Sequence, residues 1–344
     1  MNIVYLIGNG FDRNLGLRTS YKDFYNFYKK QGSSNENIRK IKEFIANGES
    51  ELWSDLEVAL GKISTEFNNP DDFIEILKDI SDNLLQYIKT EVRCLTIETA
   101  ANEKLKKYIC SPFDCLAPEF KRSAEEHFHN QSRELWNVNV ITFNYTDVLE
   151  QILHDDIGKS IGKHHNNNAE VVLRSIQHIH GDFDSSIILG VNDTTQISND
   201  DFRTNEDLLD WLVKSKTQEN RADGVERKCK NLISEANLIC VFGMSFGITD
   251  KLWWDSIISR LNFSPNTKVI IYEYAHGVSF NNNRIAEKGR YIRGAKRKLL
   301  SSSYQSLEDK VICDINTDMF NLKDSVNRKE VLYDVRIPSL GIGV

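Results

Sequence analysis

The chain has 344 residues, of which 40% are hydrophobic and 27% charged, and its formal net charge is −7. That composition is ordinary for a globular protein, and the length accommodates two domains or one with a large insertion. The acidic balance argues against general affinity for nucleic acid, and no apolar run approaches the roughly 20 residues that span a bilayer.

Residues 3–7 form a continuous apolar run of the kind a buried parallel strand shows, and they lead directly into Gly8-Asn9-Gly10-Phe11-Asp12. Two glycines let the backbone turn sharply and leave no side chain between its amides and a ligand, which is how doubly wound sheets receive phosphates. Position 13 is Arg, so the G-x-G-x-x-G spacing is incomplete, and the segment also reads as a plain strand-to-helix turn. Next, Thr19 or Ser20 can cap a helix whose Tyr21, Phe24, Tyr25 and Tyr28 share one face. From there to about residue 132 only helices are expected, over 36–47, 51–67, 71–93, 97–109 and 118–135.

Strands return at 138–143, 171–180, 186–191, 237–242 and 267–273, with a last short one at 309–315. Helices are expected between them at 146–154, 206–216, 222–235 and 250–261, and 156–169 reads as a polar loop. This alternation predicts an α/β fold: a Rossmann-like, mostly parallel sheet with a large all-helical insertion after the first strand. The expected domains are a nucleotide-binding part, 1–20 with 133–344, and an inserted helical part, 21–132.

Four segments fall at the carboxyl ends of the strands, where ligands of open parallel sheets bind. They are Gly8–Asp12, Thr142–Asp147, Gln177–Asp182 and Gly243–Asp250. Each alone is an ordinary turn; four at one sheet edge point to a shared site. With period two, His178 and His180 face the same way, and His180 is taken as the functional one because it abuts Gly181. Asn144 has a second reading as the cap of helix 146–154, Asp250 reads as a helix cap, and Lys214 as a solvated helix end. Trp53 and Glu57 stand at i, i+4, either on a surface helix or on an insertion that lies over the cleft and delivers Glu57.

No metal site is expected. The six cysteines form no C-x-x-C, and His164-His165 alone cannot build a tetrahedral site. The basic run Arg290–Lys298 reads as a solvated helix face. The start lacks a signal-peptide pattern, so a cytoplasmic location is expected, with neither membrane nor nucleic acid as a partner.

Read together, Ile7–Asp12, Thr19–Phe24, Trp53–Glu57, Thr142–Thr146, His178–Gly181 and Gly243–Phe246 resemble the AbiH abortive-infection proteins of bacterial antiphage defence. The same skeleton looks like a remote version of the sirtuin-like fold. Position 146 is Thr where that pattern has Asp, although Asp147 follows, and a four-cysteine zinc ribbon is lacking, so protein deacetylation is not implied. What the resemblance implies is an antiphage effector that hydrolyses NAD at the nicotinamide–ribose bond, or alternatively a nucleotide-sensing module acting on another partner, nucleic acid included. By the resemblance Asn144, His180 and Asp12 would be catalytic. Gly8, Asn9, Gly10, Phe11, Thr142, Tyr145, Thr146, His178, Gly181, Gly243, Ser245 and Glu57 would contact the nucleotide. NAD or a related nucleotide would be substrate or ligand rather than a tightly bound cofactor. A phage-derived or host trigger and homo-oligomerisation stay open, and the helical insertion is the expected gate.

Overall fold

A computed structural model describes residues 1–47, 55–131, 133–164, 169–185, 187–275, 285–300, 302–331 and 333. Its strands are β1 (Asn2–Ile7), β2 (Leu95–Ile97), β3 (Trp136–Thr142), β4 (Ser160–Lys163), β5 (Glu170–His178), β6 (Leu238–Phe242), β7 (Lys268–Glu273), β8 (Val311–Ile315) and β9 (Val326–Arg328). Seven of them form one sheet in the order β4-β5-β3-β1-β6-β7-β8, parallel except for β4 at the edge. Numbered along the chain, the six parallel strands run 3-2-1-4-5-6 across the sheet, the doubly wound order of Rossmann folds. The order reverses between β1 and β6, and there a crevice opens at the strands' carboxyl ends.

The continuous apolar character of β1 follows from burial on both faces. Ile3, Tyr5 and Ile7 join a core shared with the insertion, including Phe24, Tyr28, Phe73 and Tyr87. Val4 and Leu6 face the opposite core, built with Ile233, Trp253, Trp254, Ile257 and Leu299. The insertion's longest helix, Pro70–Arg93, starts on the Asn69 side chain, which accepts from Asp71 N at 2.9 Å, with Pro at N1 and acids in its first turn. Phe73, Ile76, Leu77, Ile80, Leu84, Tyr87 and Ile88 form its buried stripe.

Several expectations are corrected. The insertion is not wholly helical, because β2 interrupts it and pairs antiparallel with β9. There Arg328 grips both oxygens of the buried Glu91 carboxylate (2.8 and 3.0 Å), and the Arg18 amide donates to it at 2.9 Å. Tyr87 donates to the Arg18 carbonyl at 2.6 Å, so this clamp also fixes the loop before Thr19. The expected loop 156–169 contains β4, an edge strand that buries little besides Ile161; part of the loop, with His165, lies outside the described residues. Residues 187–191 do not join the sheet. Instead Val191 bridges to Val213, and the expected helix 206–216 breaks at that extended residue into Glu206–Leu212 and Lys214–Arg221. The described part of expected helix 51–67 is Leu56–Ile63 with a short turn after it, and Trp53 lies outside the described residues. No helix among the described residues is long and apolar enough to cross a membrane.

At the switch point the β1 and β6 turns touch backbone to backbone. Gly10 N donates to Gly243 O at 3.0 Å, and a Cβ on Gly243 (φ +69°) would sit 2.7 Å from Gly10 Cα. Conversely, a Cβ on Gly10 would collide with Gly243 Cα, a backbone atom with no side chain to swing away. Gly10→Ala should therefore lose at least about 2 kcal/mol of stability in urea unfolding. Gly294→Ala, on an open helix face, should gain roughly 0.5–1 kcal/mol. Equal effects would mean that the two turns do not touch.

Candidate active site

A cleft of about 490 Å³ opens at the switch point. Turns from all four strand ends reach it: Gly8, Asn9, Gly10 and Asp12 after β1, Asn144, Tyr145 and Thr146 after β3, His180 after β5, and Gly243, Ser245 and Asp250 after β6. The helical insertion closes one side with Tyr21, Asp55 and Glu57. Glu57 sits in the first turn of helix Leu56–Ile63, whose cap, Asp55 Oδ1, accepts from the Glu57 and Val58 amides.

Asn144 is 5% exposed, and neither of its side-chain amide atoms has a partner. Its backbone is fixed instead: N–H donates to Thr142 Oγ1 at 3.1 Å, and the carbonyl accepts from His178 Nδ1 at 3.0 Å. The neighbouring helix, Val148–Leu153, has Asp147 at its N-cap, so Asn144 is not spent as a cap. Asp12 Oδ2 accepts from Thr146 Oγ1 at 2.8 Å, whereas Oδ1 is buried without a partner. Beyond them lies a buried chain of charges. Lys214 Nζ is 2.7 Å from Glu57 Oε2 and 2.8 Å from Asp250 Oδ1, and the same Asp250 oxygen is 3.0 Å from His180 Nε2. The last of these is a charge contact rather than an aligned hydrogen bond. Among the described residues no three His, Cys, Asp or Glu side chains are grouped to hold a metal.

The family model for bacteriophage abortive infection AbiH proteins matches residues 4–272, a span that holds every residue of this arrangement. The chain belongs to the AbiH family. No curated protein matches it.

In this AbiH chain four residues expected at the ligand stand outside the cleft lining. Phe11 is core, edge-on to Phe320 with ring centroids 5.8 Å apart. Thr142 ends β3 and supports Asn144 from behind. Gly181 makes the turn after His180 with φ +82°. His178 bonds the Asn144 carbonyl and, at 2.7 Å, Glu150 Oε1. Burial lowers the His178 ring, but Glu150 and the Asn144 carbonyl outweigh it and raise it above the usual imidazole range. His178 and His180 part company because β5 ends at His178, so period two does not extend to His180. The amides of Gly8 and Gly10 are spent on Phe242 O and Gly243 O, and are not free for a phosphate. Asn9 ties back the wall of the cleft, its Nδ2 donating to Thr19 O at 2.9 Å.

Sequence reasoning undervalued two residues. Asp250 makes no capping bond, and Lys214 is no solvated helix end but is buried between two carboxylates. Asp250 is signalled only by its place three residues after Gly247, and Lys214 has no such signal. Lys298, from the basic run, stands at the cleft mouth, 3.6 Å from Glu273.

Electrostatics set the state of each group. Burial raises the Asp250 carboxyl, but Lys214 and His180 outweigh it and hold Asp250 well below the usual range. Burial likewise lowers the Lys214 ammonium, and its two carboxylates more than restore it. Glu57 is raised, by burial first, against the pull of Lys214. Asp12 has no cation in contact. Burial lifts it from 3.8 to about 7, despite the Thr146 hydroxyl and the nearby Asn144.

The folded chain thus keeps the Asp12 proton through the range, from about pH 4 to 7, in which the unfolded chain has lost it. Its contribution to stability falls as pH rises through that window. Asp12→Asn never ionises, so its stability advantage over the parent should be absent near pH 4 and reach the order of 4 kcal/mol above pH 7. Urea unfolding at both pH values checks this; an advantage independent of pH would assign the ionisation to another group.

Proposed function

We propose that the cleft binds NAD and hydrolyses its nicotinamide–ribose bond, and that this chemistry serves abortive infection. The observation that carries the reading is Asn144: buried, unspent at both amide atoms, and set with Asp12 and His180 in one cleft at a Rossmann switch point.

Breaking the C1′–N1 bond sends its electron pair onto nicotinamide, which leaves neutral, and builds positive character on the ribose. Little covalent assistance is needed; position and one proton acceptor suffice. A water adds to C1′ and gives up a proton. Asp250, held ionised, lies 3.0 Å from His180 Nε2 and electrostatically favours a proton on that nitrogen, the tautomer that leaves Nδ1 as acceptor. The imidazolium that forms is then stabilised by the same carboxylate. The Asn144 amide, both donor and acceptor, orients the water and the ribose without adding charge. Asp12 lies where it can bond a ribose hydroxyl, and above about pH 7, where it ionises, its carboxylate also offsets the charge growing on the sugar.

A second reading, a nucleotide-sensing module without turnover, is favoured by one observation: position 146 is Thr rather than Asp, and its hydroxyl is spent on Asp12. Incubation with NAD separates the two. Nicotinamide release by the parent is expected, with His180→Ala and Asn144→Ala each reduced at least about 100-fold while circular dichroism stays unchanged. Saturable NAD binding without release would support the sensor. Neither release nor binding would sink both readings.

A further inference from the structure

The inner part of the cleft holds an uneven set of unspent atoms. Asp12 Oδ1, Glu57 Oε1 and Asn144 Oδ1 are acceptors, against which stand the Asn144 Nδ2 donor and, 3.0 Å from Asp250, His180 Nε2. All three residues line the cleft, with exposures of 2%, 4% and 5% respectively. Each carboxylate has its other oxygen tied down, Asp12 Oδ2 by Thr146 Oγ1 at 2.8 Å and Glu57 Oε2 by Lys214 Nζ at 2.7 Å. The ties decide which oxygen is left for a ligand.

A phosphate brings only acceptors and negative charge, and satisfies neither free oxygen. A sugar with adjacent hydroxyls brings two O–H donors, which Glu57 beside Lys214 and, once ionised above about pH 7, Asp12 accept well, and keeps oxygens for Asn144 Nδ2. We propose that the inner cleft is a site for the 2′,3′-diol of an unphosphorylated ribose, accepted by Asp12 and Glu57, with Glu57 as the specificity-determining residue supplied by the helical insertion. Phosphates of the same ligand are left to the rim, where Arg13 and Lys298 line the cleft. The assignment takes its location from the NAD reading, but its binding chemistry stands on the unspent oxygens alone. It also makes the insertion part of the binding site rather than only a cover.

Calorimetric titration of the full chain tests it, with nicotinamide riboside, adenosine, their 2′-deoxy counterparts and inorganic pyrophosphate as probes. At least one riboside should bind, and loss of its 2′-hydroxyl should weaken binding about tenfold or more. Pyrophosphate should not displace it. In Glu57→Gln, whose amide can turn a donor toward the ligand, riboside and deoxyriboside should bind alike. Equal binding of the two by the parent chain, displacement by pyrophosphate, or no riboside binding would each overturn the proposal. The parent comparison decides even if the Glu57→Gln chain does not fold. Diol-dependent binding of adenosine without any NAD hydrolysis would uphold this site and reject the NAD reaction. NAD hydrolysis with equal riboside and deoxyriboside binding would do the reverse.

Discussion

The ammonium group of Lys214 lies where three distant stretches of the chain meet, 2.7 Å from a carboxylate of the insertion and 2.8 Å from one at the end of β6. A buried cation is tolerable only with well-placed counter-charges, and a buried carboxylate needs its cation equally. The three groups therefore hold one another in place. Through Asp250 the constraint reaches the His180 ring, and through Glu57 it reaches the first turn of an insertion helix. Sheet and insertion consequently cannot shift independently at the cleft without separating buried charges.

Asp12 and Asn144 run against the usual economy of a folded chain. Buried polar groups are normally satisfied, and the exceptions call for an explanation. Here Asp12, Glu57 and Asn144 stand together on one cleft, and nearby groups outside its lining, Thr142 and His178, are occupied in holding the Asn144 backbone. A firmly held frame around unspent side-chain atoms is the form pre-organisation takes before a ligand arrives.

Much of this could be read from residue order, and the reason is local. Apolar runs ending in Gly, Asn or His reveal where parallel strands stop, so Gly8–Asp12, Asn144, His180 and Gly243 are legible in the sequence. Ser20 was legible as a cap because its side chain acts three residues away, on the Asp23 amide. Lys214 and Asp250 were not legible, since a charge beside a helix end looks the same in solvent as in a core; only the Val191–Val213 bridge turns Lys214 inward. β4 escaped notice because an antiparallel edge strand needs few apolar residues, and β2 with β9 because three-residue strands leave no periodicity. The spent amides of Gly8 and Gly10 were hidden for a related reason. Glycine marks close approach, but sequence does not say whether a ligand or another backbone is what approaches.

The Glu91–Arg328 clamp sets a timetable for synthesis. The guanidinium that neutralises the buried Glu91 carboxylate is made 237 residues after it and after the loop it steadies. At roughly 5–20 residues per second, the interval is on the order of 10 to 50 seconds. During that time the Arg18 loop, which leads to the cleft residues Thr19, Ser20 and Tyr21, has Tyr87 and Glu91 as partners, but that carboxylate lacks its cation. Arg328 also lies beyond the matched family span of 4–272. One support of the cleft wall is thus completed only after the whole matched family span has been made.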